Sequence, residues 1–405
     1  MKASIVGITL VNIAIRALWV LNVHPAPRSD FAFYFSAATR LAAGQGYTLN
    51  GEPTAFWPAG WPVVLAAAFR IFGSELWVGL ALQLAIATGI SVLIVLLAHR
   101  VSGSWVVGTA ASLAWTILPG ELGWNSVLGT EPLFTLLTVG ALLVLAYGTN
   151  RGNLIIAGVL LGAACWVRPT VLLLPVGLAV LLIVEHRSWR IPIAKAALVL
   201  GVMLVVIAPL TARNYATFGA FVPVSTNGGV NLWQGLHTDS GYWWSTDPQV
   251  NPLVAVDDEV ERDRLGQRLF LQHAAEHPLD VAAHAAAKIA SLYGPPSTLW
   301  IAVAGGWGER KATIIMAGAA IAYIAFMLAA AAGLLWTWTH RRWPMILILG
   351  FCVYYTAVWS VFPAWDRFRY PLMPLFAVFA GVAIVRTWGL AREIFWLRRS
   401  VGPTP

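Results

Sequence analysis

Two carboxylates in this sequence stand where their chemistry could be used. Asp30 opens the apolar stretch FAFYFSAATRLAA and Glu131 opens PLFTLL, each at what reads as the outer end of a membrane span. A carboxylate above a low-dielectric floor holds a proton more readily than one in water. Such a group can act as general base, taking the proton of a hydroxyl as a sugar moves onto it from a lipid phosphate. Both acids are also good helix starts, since Ser29-Asp30 and Thr130-Glu131-Pro132 fit N-terminal positions where acids are favoured. Taken singly, the capping role explains each; taken together on one membrane face, catalysis explains them as well.

Four arginines, Arg168, Arg213, Arg367 and Arg369, end spans on the same side. Guanidinium forms bidentate contacts with phosphate oxygens and would stabilise a leaving polyprenyl phosphate; snorkelling to lipid headgroups is the plainer role. Arg213, followed by Asn214-Tyr215, and Arg369, followed by Tyr370-Pro371, look the more specific; with Arg168 they form the expected donor-phosphate set. Asp366 is near enough in sequence to pair with Arg367 or Arg369. The loop VPVSTNGGVNLWQGLH (222–237) reads as a tight turn at Asn227-Gly228-Gly229, followed by Asn231, Trp233, Gln234 and His237 as stacking and amide groups. Tyr34, Asn214, Asn227, Asn231 and Trp233 are the expected substrate-binding residues, although tryptophan also belongs to the membrane's aromatic belt. His273 and His277 are spaced i, i+4, but no glutamate directly follows the first, so the zinc-protease pattern is missing and a solvated helix face is expected. The sequence has no phosphate-binding glycine loop with a lysine, no serine nucleophile elbow and no Cys/His cluster. No metal ligands are expected and no cofactor is demanded; a divalent metal stays open.

The elements that must position these residues are membrane helices. The chain has 405 residues, 59% of them hydrophobic and only 11% charged, against about a quarter charged in soluble domains. Apolar runs near twenty residues recur, without the short alternating segments of an outer-membrane barrel. The expected class is an all-α polytopic membrane protein with about ten transmembrane helices. Interfacial or re-entrant helices are expected at 30–43 and 61–72 in the first outer loop (23–75), and helical stretches near 257–277 and 279–292 in the outer segment. Arg16 is the charge inside the first span, where it must snorkel or pair within the bundle. The net charge of +8 lies mostly in short basic loops, which argues for topology and against nucleic acid. Both termini are expected in the cytoplasm, with Asp30, Glu131 and the 213–311 segment facing outward. The organisation reads as 1–212, a transmembrane core with the first outer loop; 213–311, an extracytoplasmic segment; and 312–405, the last helices and a basic tail. Cys165 and Cys352 fall in apolar spans as small core residues.

Four segments taken in order, SDFAFYFSAATRLAAGQGY with PAGWPVVLAAAFRIFG, GTEPLFTLL, APLTARNYATFGAFVPVSTNGGVNLWQG and DRFRYPLMPLFAVFAG, make the chain similar to the GT-C superfamily of membrane glycosyltransferases. The branch is that of protein O-mannosyltransferases and the lipid A aminoarabinose transferase. The resemblance implies a GT-C-like fold and an inverting transfer from a polyprenyl-phosphate sugar to a cell-envelope acceptor (lipid, glycan or protein), at the extracytoplasmic face of the inner membrane. It implies that Asp30 is the catalytic carboxylate and that Glu131 matches the family's glutamate at the start of the fourth span. Many members have a second acid after the first; here that position is Phe31. The expected partners are the lipid-linked sugar, the acceptor and membrane lipids. A transporter or flippase of lipid-linked saccharides is the alternative, which calls for broken or polar spans and an internal repeat.

Overall fold

The structure is a computed structural model and describes residues 2–239, 243–297, 303, 307–338 and 342–400. Among the described residues the chain is helical almost throughout, with one two-stranded antiparallel pair, Thr48–Leu49 against Glu52–Pro53. Helix α1 (Lys2–Asn22) leads to α2 (Asp30–Ala42) and α3 (Gly60–Phe72) in the first outer loop. Helices α4 (Leu76–Ser102), α5 (Trp105–Thr116), α6 (Pro119–Gly123), α7 (Glu131–Tyr147), α8 (Arg151–Val167), α9 (Leu174–His186) and α10 (Arg190–Phe218) follow. The next segment carries α11 (Gly228–Gln234), α12 (Glu259–Glu276) and α13 (Pro278–Leu292). Helices α14 (Glu309–Thr337), α15 (Trp343–Val361) and α16 (Met373–Ser400) close the bundle.

Among the described residues seven helical stretches are long and apolar enough to cross a membrane, α9 counted from Pro169 and α16 from Asp366, and up to eight if the pair Pro119–Ser126 and Glu131–Tyr147, bent by 119°, counts as one span. The expectation of about ten also counts the shorter helices α5 and α8, of 12 and 17 residues. At 13 residues each, α2 and α3 are too short to cross and pack against each other beside the bundle. Their apolar faces (Phe31, Phe33, Tyr34, Ala37 and Ala38 on one, Trp61, Leu65 and Phe69 on the other) join the main core. Helix α10 runs unbroken through residues 212 and 213.

The bend before α7 leaves a buried non-helical stretch, residues 127–129, whose backbone carbonyls need other partners. Side chains seal it. Trp61 donates to the Leu128 carbonyl at 2.9 Å, and Gln83 to those of Val127 and Gly129 at 3.2 and 2.9 Å. A polar column runs below: Ser91 with Ser112 at 2.6 Å, Asn12 with Thr116 at 2.8 Å, and Thr88 with Asn12 at 3.2 Å. Arg16 tops it, fully buried over the Trp115 ring at 4.2 Å. Its Nη1 donates to the Glu121 carbonyl at 2.9 Å and to the Asn125 side chain. Arg16 thus pairs inside the bundle and ties α1 to the loop that leads to Glu131. Cys165 and Cys352 are buried free thiols.

Candidate active site

Asp30 and Glu131 are each the first residue of a helix, but neither helix start uses a side-chain cap. Ser29, before Asp30, takes φ 54° and ψ −134°, a backbone region costly for any residue but glycine. The acids are turned to arginines instead. Asp30 Oδ2 accepts a hydrogen bond from Arg367 Nη2 at 2.6 Å. Glu131 Oε1 accepts from Arg367 Nε at 2.6 Å and from Arg168 Nη1 at 2.7 Å. Arg168 Nη1 also donates to Thr130 Oγ1 at 3.0 Å. Two carboxylates and two guanidiniums therefore close into a charge-balanced quartet. Glu131 has no exposed side-chain surface, whereas 19% of Asp30 remains open.

Local sequence explains how each member arrives. Pro132 pre-sets the first turn of α7, so Glu131 sits at the helix mouth. A side chain at Gly129 would meet Glu131 Oε2 and the Trp124 ring at 2.7 Å; only glycine lets the carboxylate fold back there. Pro169 forces its predecessor out of the helical region. Arg168 accordingly takes φ −153° and ψ 119°, ending α8 and aiming its side chain at α7. Arg367 comes from a 3-10 segment, Asp366–Leu372, in which side chains three apart share a side. Asp366 and Arg369 face the outer segment: Ser297 donates to Asp366 from its N–H at 2.9 Å, and Arg369 donates to the carbonyls of Leu292, at 3.0 Å, and Gly294. Arg367 points the other way, into the site. Phe368 stacks on Trp359 at 3.9 Å, with the Arg168 and Arg367 guanidiniums 4.8 and 5.7 Å from its ring.

A family model described as dolichyl-phosphate-mannose-protein mannosyltransferase matches residues 58–212. No curated protein matches the sequence. Among solved structures, an oligosaccharyltransferase from Archaeoglobus fulgidus in complex with zinc and sulfate is similar, with a TM-score of 0.58 and 13% identity over 98% of this chain. ArnT from Cupriavidus metallidurans, bound to undecaprenyl phosphate, gives a TM-score of 0.61 and 15% identity over 99% of the chain. The chain shares its fold with these two membrane proteins. The chain spans 51% and 64% of the length of those two structures.

The remaining expected residues fall into three groups. Tyr34 lies one turn along α2 from Asp30, buried. Burial first, and then the Asp30 charge, push its phenol well above the ordinary tyrosine value, so it stays a protonated donor beside the quartet. Arg213 and Asn214 form a clasp: Arg213 Nη1 donates to the Thr54 carbonyl at 2.8 Å, Arg213 Nη2 to that of Tyr47 at 3.2 Å, and Asn214 to those of Val222 and Val224, both at 3.1 Å. Arg369, expected as a phosphate ligand, likewise spends its donors on backbone carbonyls. Asn227, Asn231 and Trp233 lie at and on α11, which packs on α12. The expected turn at Gly228-Gly229 is instead the first turn of that helix. Its glycines serve contact, since a Cβ on Gly229 would lie 1.9 Å from the Asp263 carbonyl. Asn227 accepts from Ser225 at 2.9 Å, and Trp233 packs on His237 at 4.3 Å, which stacks on Trp243 at 4.2 Å. His273 is paired with Asp280 at 2.8 Å.

Two residues carry more than their sequence context suggested. Arg367 is the bridge between both acids. Glu259, at the start of α12, ties the outer segment to the first outer loop, accepting from the Ala55 N–H at 2.6 Å, Thr54 Oγ1 at 2.8 Å and Thr226 Oγ1 at 3.1 Å. Among the described residues no three His, Cys, Asp or Glu side chains converge as metal ligands.

Proposed function

We propose that this chain is a glycosyltransferase that moves a sugar from a polyprenyl-phosphate donor to a cell-envelope acceptor at the extracytoplasmic face of the inner membrane. The observation that carries the reading is the convergence of Asp30, Glu131, Arg168 and Arg367 within hydrogen-bond distance at the junction of α2 with the bundle. The mannosyltransferase family match and the likeness to a protein bound to undecaprenyl phosphate support the class of donor.

In this reading Asp30, the more open acid, takes the proton of the acceptor hydroxyl as that oxygen attacks the anomeric carbon and inverts it. The bond from that carbon to the phosphate oxygen breaks, and its electron pair goes to the phosphate. Arg168 and Arg367 stabilise the charge that develops there. Glu131, sealed from solvent, orients both guanidiniums. Tyr34 supplies a neutral donor beside them, and the amides and ring of Asn227, Asn231 and Trp233 border the outer segment as a substrate face. The three regions 1–212, 213–311 and 312–405 divide the work into catalytic core, outer cover and the helices that supply Arg367.

The test is transfer in vitro by the purified chain with a panel of polyprenyl-phosphate sugars. The wild type transfers from at least one donor, and Asp30→Asn, folded by the same thermal-melt criterion, loses transfer. Full activity in Asp30→Asn would remove Asp30 from the mechanism.

A further inference from the structure

Arg367 is bonded to both acids of the site. Asp30 Oδ2 holds Arg367 Nη2 at 2.6 Å, and a proton taken up by Asp30 removes the charge that binds this guanidinium, so the two roles of Asp30 compete. We propose that Arg367 is a hand-over residue: the donor's phosphate draws its guanidinium off Asp30, and Asp30 is freed to act only once the lipid-linked donor is seated. This rests on the transferase reading above and adds an order of events to it, donor first and acceptor second.

Three features suit Arg367 to such a move. First, its two carboxylate bonds use different nitrogens, Nη2 toward Asp30 and Nε toward Glu131, so a pivot about the Nε bond lets Glu131 keep its hold while Nη2 moves. Second, the guanidinium lies 4.9 Å from the Phe31 ring and 5.7 Å from that of Phe368. Aromatic faces attract a cation whichever anion it is paired with, so it stays supported during the exchange. Third, the flanking Asp366 and Arg369 pin the backbone to residues 292–297, which confines the motion to the side chain. The two acids also differ as the proposal requires. Glu131 is sealed in and shared by two arginines, whereas Asp30 is partly open and held by Arg367.

The charges balance through the reaction. The donor enters as a phosphodiester monoanion and takes one edge of Arg367. As the acceptor oxygen bonds to the anomeric carbon, its proton passes to Asp30 and the sugar–phosphate C–O electron pair passes to the leaving phosphate. Asp30 becomes neutral as the phosphate gains a charge, so Arg367 ends beside the anion that needs it.

The test is binding of undecaprenyl phosphate and of neutral undecaprenol to the full chain in nanodiscs, read by native mass spectrometry. Asp30→Asn is expected to bind undecaprenyl phosphate about tenfold more tightly than wild type, because the competitor for Arg367 is gone, and Arg367→Gln about tenfold more weakly. The gain from Asp30→Asn should vanish in the Arg367→Gln background, and undecaprenol should bind all variants alike. Should Arg367→Gln fail to fold, Arg367→Lys replaces it; a single ammonium cannot span both acids, so the gain from Asp30→Asn should shrink there too. No gain in Asp30→Asn, or a gain that persists without Arg367, overturns the hand-over while leaving the donor reading intact. A wild type that binds undecaprenol as tightly as undecaprenyl phosphate overturns both.

Discussion

The buried and half-buried cations of this protein divide by what they are bonded to. Arg168 and Arg367 hold carboxylates. Arg16, Arg213, Arg369 and Lys288 donate to backbone carbonyls, those of Glu121, of Thr54 and Tyr47, of Leu292 and Gly294, and of Gly235 and Val361. Under the proposed function the difference matters. A carbonyl is fixed in the backbone and cannot be exchanged for a ligand without opening the fold, so a cation tied to it is a staple. A carboxylate on a side chain carries a full charge that an incoming phosphate can match, so a cation tied to it can be traded. Around the quartet the staples hold the loops still, and within it the pairs can be broken.

The sharpest way to break this comparison is at the quartet. Asp30→Asn should lower the rate of transfer by about 10²–10⁴-fold, the usual worth of a general base, with little change in melting temperature. Glu131→Gln should destabilise by about 3–5 kcal/mol, since it uncovers two guanidiniums in a sealed site, and thermal unfolding checks it. Arg369→Met should cost about 2–3 kcal/mol by the same measurement, while activity per folded molecule stays within severalfold and the donor KM is unchanged; a large rise in KM would move Arg369 into the exchangeable class. Arg213→Ala should cost about 1–2 kcal/mol and raise proteolysis of the first outer loop near Thr54, which it clasps.

Lys288 gives the smallest and most specific effect. Burial holds its amine down to about 8, below the usual lysine range, with the Asp239 charge opposing. The neutral amine has two N–H groups for its two carbonyls, at 2.8 and 2.9 Å. Between that value and the ordinary one the unfolded chain binds the proton and the folded chain does not, so stability rises with pH across the window. Thermal melts from pH 8 to 10 should show wild type gaining on Lys288→Met; a parallel pair of curves would mean that the amine stays charged in the fold.

Much of the site could be read from the chain, and the misreadings have physical causes. Apolar period and basic loops put Asp30, Glu131 and Arg168 on one face, and the fold joins them. Arg367 was in the same set, but the residues after Arg213 and Arg369 drew more weight than the geometry of the segment. In DRFR, a helix of three residues per turn puts 366 and 369 together and 367 opposite, and that register is the signal that separates the staple from the bridge. The glycines at 228–229 read as a turn because glycine permits both a turn and a close helix crossing, and only tertiary contact distinguishes them. Arg16, the one charge foreseen inside a span, pairs within the bundle, with partners that arrive from a bend no periodicity reveals.

Phe368 lies face-on to Trp359, with the guanidiniums of Arg168 and Arg367 ranged about it. Any shift of Arg367 therefore alters the electric environment of one indole a single ring away. The protein carries its own optical and magnetic reporter: with fluorotryptophan incorporated, the fluorine resonance that disappears in Trp359→Phe is the one that should move when a phosphate lipid is titrated in. A chain buried in bilayer can then be watched one side chain at a time.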